Sequence, residues 1–142
     1  MPHATRHERL AASSKEFYCG QLVGIDTNVT GSPVTPAVAG DLTLQICGRC
    51  EERLTTGANN TKTVKFKSGC FYYASGGTFE ALTADDVGAQ CFVVDDQTVG
   101  KSGATGANAK AGRVYDVDQY GVAVNIEWPQ PAVIGATTAG DA

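Results

Sequence analysis

Histidine, tryptophan and methionine are scarce: two, one and one in a chain of 142 residues. So few imidazoles remove most of the usual general-base and metal-ligand chemistry. Long apolar runs are missing. No window approaches the ~18 apolar residues of a membrane-spanning helix. Residues 1–17 carry charges but no apolar h-region, so no secretory signal is expected there. Basic excess is missing as well. Eleven Lys and Arg stand against 15 Asp and Glu, for a formal charge of −4. That balance argues against a nucleic-acid-binding face. Helix signals are almost absent: Thr83-Ala84-Asp85-Asp86 has the form of a capping box, but Gly88 stops it within about one turn. Glycine, by contrast, is plentiful at 17, and 42% of residues are hydrophobic. The length fits one ordinary domain with its own core, and the composition excludes wholesale disorder.

Five cysteines are present: Cys19, Cys47, Cys50, Cys70 and Cys91. In a chain folded in a cytoplasm they are expected to stay reduced, and an odd count fits free thiols better than a disulfide framework. Cys47-Gly48-Arg49-Cys50 is the sharpest chemical motif. A redox CxxC needs a helix N-terminus to lower its thiol pKa, whereas the residues before it alternate like a strand. A zinc site would want a second CxxC or paired histidines. The preferred reading is a pair of small buried thiols, with metal and redox roles as alternatives. In an unbroken strand the two would face opposite sides, unless Gly48 introduces a bulge.

The middle of the chain has period two. Leu42, Leu44 and Ile46 alternate with polar residues, as do Val64 and Phe66, and Val122, Val124 and Ile126. Such alternation places one strand face on a core. Further strands are expected at 21–26, 34–38, 70–73, 90–94 and 111–117. Turns are expected at Ser68-Gly69, Asp95-Asp96-Gln97 and Asp118-Gln119-Tyr120-Gly121. The fold expected is all-β: a small antiparallel barrel or sandwich at 17–128, with an extended N-terminal arm at 1–16 and an extended tail at 129–142. The arm is polar with Leu10 as its only large apolar side chain, which predicts a loose segment. The tail carries Pro129 and Pro131, each of which blocks a strand ladder.

Several motifs imitate chemistry without carrying it. Asp116, Asp118, Gly121 and Glu127 fall at calcium-loop spacing, but Tyr120 occupies a ligand position and the flanks alternate as strands. A hairpin turning at Asp118–Gly121 is the better reading. Asp95-Asp96 reads as a turn, since adjacent strand residues point apart. The Gly-rich stretch 100–107 lacks the Gly-Lys-Ser/Thr ending of a phosphate loop, and no G-x-S-x-G elbow occurs. The sequons at Asn28 and Asn59 mark only polar loops. No catalytic residue, cofactor-binding residue or metal ligand is assigned. Arg6, Arg9, Leu10 and Lys15 of the arm are the candidate contact residues, because cations there can pair with carboxylates on a partner surface.

Other stretches carry a resemblance. They are Gly20-Gln21-Leu22-Val23-Gly24-Ile25-Asp26, Gly48 with Glu51-Glu52, and Val64-Lys65-Phe66-Lys67-Ser68-Gly69-Cys70-Phe71. Asp86-Val87-Gly88, Val93-Val94-Asp95-Asp96-Gln97-Thr98-Val99, Ala111 through Asp118 and Gly121-Val122-Ala123-Val124 continue the series. In order and spacing, over about residues 20–127, the chain resembles the capsid decoration, or cement, proteins encoded beside the major capsid gene of tailed bacteriophages and prophages. The resemblance implies a β-barrel-like structural protein of the virion. It would be made in the host cytoplasm, bind the major capsid protein on the outer capsid surface and stabilise the shell. It also implies a homo-oligomer, often a trimer, with no active site, no cofactor and no direct contact with nucleic acid or membrane. Cys47 and Cys50 depart from the aliphatics expected at their places, and the arm and tail lie outside the shared core. Two alternatives stand beside it: a tail or head–tail connector protein, and a metal- or carbohydrate-binding β-module.

Overall fold

The computed structural model describes residues 4–77, 81–101 and 108–129. Eleven strands follow one another: β1 Thr5–Leu10, β2 Glu16–Phe17, β3 Leu22–Asp26, β4 Val34–Pro36, β5 Leu44–Cys50, β6 Leu54–Thr55, β7 Thr63–Ser75, β8 Gln90–Asp95, β9 Thr98–Gly100, β10 Lys110–Asp118 and β11 Gly121–Ile126. The one helical element among the described residues is a 3-10 turn at Ala84–Asp86. Thr83 and Asp86 cap it reciprocally, as their spacing predicts. The fold is all-β and barrel-forming, as the alternation implies.

The long strand β7 organises everything. Its first half belongs to the first sheet, β1-β7-β5-β3-β4. Its second half joins the second sheet, a closed ring of five strands, β7-β9-β8-β10-β11, because β11 pairs back onto β7 from Gly69 to Tyr73. The ends of the first sheet meet where Ala11 bridges Val34 in parallel and Ala12 N donates to the Val34 carbonyl at 2.7 Å. Pairing is antiparallel apart from this bridge and the short β7–β9 ladder.

Two cores follow, one on the first sheet and one inside the ring. Val23, Ile25, Val34, Cys47, Cys50, Val64 and Phe66 form one, with Leu54 and Trp128 packed against it. Phe71, Tyr73, Val93, Val99, Val114, Val122, Val124 and Ile126 form the other, joined by Leu22, Leu44 and Ile46 from the first sheet. Each large side chain so buried contributes roughly 1.5–3 kcal/mol.

Three expectations need correction. The turn expected at Ser68-Gly69 is instead the middle of β7, so the separate strand at 70–73 is part of it. Gly69 adopts φ +141°, which lets one strand bend from one sheet into the next. Leu42 lies outside β5 and is exposed, because Asp41 holds Thr43 in a side-chain-capped turn. Within the arm expected at 1–16, the described residues are not loose. Residues 5–10 pair in register with β7 from Ser68 to Thr63, and 16–17 pair with β6. A polar segment forms this strand because little of its inner face must be apolar: the His7 ring stacks on Phe66 with centroids 5.1 Å apart, and Ala11 completes the core. The tail beyond residue 129 and the glycine-rich residues 102–107 lie outside the described residues.

Candidate interaction surface

A β-bulge sets the chemistry of the CxxC motif. Val23 faces Gly48 while Gly24 faces Ile46, so Cys47 is the extra residue. The bulge resets the alternation, and Cys47 and Cys50 both enter the first core despite their odd spacing. Only glycine fits at position 48, since a Cβ there would lie 2.0 Å from the Lys67 carbonyl oxygen. Cys47 Sγ donates to the Val23 carbonyl at 3.5 Å and Cys50 Sγ to the Glu52 carbonyl at 3.1 Å. Burial pushes both thiols up in pKa, the opposite of what a nucleophilic pair needs. All five cysteines are free. Among the described residues no three His, Cys, Asp or Glu side chains gather as metal ligands would.

The acidic motifs are spent on turns. Asp118 Oδ1 accepts the Tyr120 amide at 2.8 Å and Oδ2 accepts the Tyr72 hydroxyl at 2.7 Å, inside the hairpin joining β10 and β11. Asp95 Oδ1 caps the β8–β9 turn by accepting the Gln97 amide. Asp96 does something that spacing does not reveal. Its Oδ2 accepts the Tyr18 hydroxyl at 2.6 Å and buried Gln21 Nε2 at 3.0 Å, while Gln97 Nε2 donates to Tyr18 Oη. With Leu22 N donating to the Asp96 carbonyl, this network ties the second ring's hairpin to the first sheet.

The four arm residues divide. Leu10 and Lys15 line one open groove of about 420 Å³, between the start of the chain and the loops around β4. Val29, Val38, Asp41 and Leu44 line it too. Val29 and Val38 are about half exposed, so the groove has apolar side chains open to solvent beside Asp26, Asp41 and Lys15. Arg9 Nε donates to the Ser32 carbonyl at 2.9 Å. Ser32 lies between Thr30 and Pro33, both of which line the groove. Arg9 therefore stands near the groove. Arg6 lies apart, on β1 opposite Lys67 of β7. The sequence signal missed here was the pair of exposed valines: Val29 and Val38 sit in polar or Gly/Pro-flanked segments where strand reading looks for core. Comparison with protein-family models, curated proteins and solved structures finds no match to the chain.

Proposed function

We propose that the chain is a structural virion protein that binds the outer surface of a phage capsid and stabilises the shell. The observation that carries this reading is the groove. Half-exposed Val29 and Val38 line it with Leu10, beside Lys15, Asp26 and Asp41, so apolar side chains and charges of both signs meet there as on a partner surface. The rest of the molecule supports such a role. Two cores and the Tyr18–Asp96 network make a rigid body, and rigid partners lose little ordering entropy on docking. Many copies on one lattice add avidity to weak single contacts.

The test is co-sedimentation of the full chain with capsids lacking it, followed by imaging of the particles. Density over the outer shell is expected. Val29→Asp with Val38→Asp places two carboxylates on the rim and should weaken binding tenfold or more, about 1.4 kcal/mol. Equal occupancy of the double variant and the parent overturns the groove as the contact. Density confined to one vertex supports the head–tail connector reading instead.

A further inference from the structure

Charge is divided unevenly along the chain. Residues 1–67 hold eight Lys and Arg against six Asp and Glu, whereas residues 68–142 hold three against nine. The fold turns that division into two faces. On the first sheet, Arg6 of β1 stands directly opposite Lys67 of β7, and Lys67 opposite Arg49 of β5. Like charges paired across strands are destabilising on their own. Glu51 answers two of them, at 2.8 Å from Arg49 Nε and 3.6 Å from Lys67 Nζ. Arg6 has no ion pair among the described residues. Lys65 lies on the same face, opposite Glu8. The Glu8 carboxylate accepts the Thr63 hydroxyl rather than pairing with Lys65.

The second ring presents the complement. Tyr72 and Tyr120 meet edge to face at 6.4 Å, and Tyr72 donates to Asp118. Asp116 stands across β11 from Tyr72, each registered with Ala123, and the Asp118 hydrogen bond, with Asp116 adding to it, raises the Tyr72 phenol pKa. Tyr120 is 75% exposed, the most of any large hydrophobic side chain described. Exposed tyrosines flanked by carboxylates match cationic side chains twice, through the ring face and through charge. The chain itself shows the first kind of contact, with the Arg49 guanidinium 4.1 Å from the Phe71 ring centre. Strand addition has no edge to use in the closed ring of five, and on the first sheet it is confined to the outer edges of β1 and β4, which meet at the Ala11–Val34 bridge.

We infer that the Tyr72/Tyr120/Asp116/Asp118 face of one copy docks on the Arg6/Lys65/Lys67 face of a second copy. Such a contact is heterologous, so repetition gives a ring where the rotation closes and an open filament where it does not. This inference rests on the shell-protein reading, but its test uses no capsids. A chain that self-associates yet fails to decorate particles sinks that reading alone, and one that decorates as a monomer sinks this contact alone.

The experiment is sedimentation of the purified full chain at 50 and 500 mM NaCl. Association is expected at the lower salt and should weaken at the higher, where charges are screened within a few ångströms. Lys65→Glu and Asp116→Lys, each on an exposed or half-exposed strand position, should each weaken association tenfold or more. Mixed one to one, they should restore it, because the intact acidic face of one meets the intact basic face of the other and the two reversed faces also match. Arg6→Glu and Tyr120→Ala are second variants of the same faces should either fail to give the parent's circular dichroism. A strict monomer at 50 mM salt, single variants that associate like the parent, or a mixture that stays monomeric each overturn the inference.

Discussion

Gly48→Ala is the sharpest single test of the bulge. The added methyl would lie 2.0 Å from the Lys67 carbonyl oxygen, 2.6 Å from its carbon and 3.1 Å from Ser68 N. All three are backbone atoms of β7, which is held on its other side by β1, so no side chain can turn away to make room. A carbon–oxygen contact needs more than 3 Å, so β5 must move off β7 by more than an ångström. Their ladder has only two registered pairs, Arg49 with Lys67 and Cys50 with Phe66. Overpacking against a fixed backbone costs roughly 1–3 kcal/mol, and each lost hydrogen bond about 1 kcal/mol. The expected destabilisation is therefore about 3–5 kcal/mol, a large part of the ~5–15 kcal/mol of an ordinary domain. In urea, with a slope near ~1.5 kcal/mol/M, the midpoint should fall by about 2–3 M. Gly57→Ala is the control, since a Cβ there meets nothing within 4 Å, and its midpoint should hold or rise slightly. A Gly48→Ala midpoint within about 0.3 M of the parent would refute the reasoning.

Two more predictions follow from buried groups. Tyr73 is buried and its hydroxyl has no hydrogen-bond partner among the described residues, so Tyr73→Phe should hold stability or raise it by about 1 kcal/mol in the same urea assay; a loss above ~1 kcal/mol means that the hydroxyl is bonded in solution. Cys19 is exposed while burial pushes the Cys47, Cys50 and Cys91 thiols up, so a thiol reagent at pH 8 should label Cys19 at once and those three only on unfolding; five free thiols are expected in the denatured, unreduced protein, and a count of one or three contradicts this.

Much of the fold was legible because its elements announce themselves locally. β3, β8, β10 and β11 lie within a residue or two of where alternation puts them, and the turn at Asp118–Gly121 is where a hairpin needs its glycine. What was not legible is non-local. Ser68-Gly69 reads as a turn because glycine after serine usually ends a strand; here the partner changes across Gly69, from β1 and β5 to β11, while the strand continues. No local pattern reports a change of partner. The same holds for β1, whose inner face is mostly the His7 ring with Ala11 just past its end, and for β9, three residues long and tied to the end of β7 by a parallel ladder.

The candidate surface was legible only in part, for a related reason. Arg6, Arg9, Leu10 and Lys15 were legible as cations and one leucine on a polar segment. Their grouping required the register of β1, which puts Arg6 beside Lys67 while Leu10 and Lys15 reach the groove with Val29 and Val38. The register also changes what the segment can do. An arm that orders on binding loses roughly 1–2 kcal/mol of backbone entropy per residue. Residues 5–10 are already held by β7, so their backbone is in place before any partner arrives. Cations on an ordered strand gain more from a complementary surface than those on a loose segment, because less ordering offsets each contact. The strand at the edge of the first sheet, β1, thus carries three of the four candidate contact residues, Arg6, Arg9 and Leu10, on backbone that is already paired.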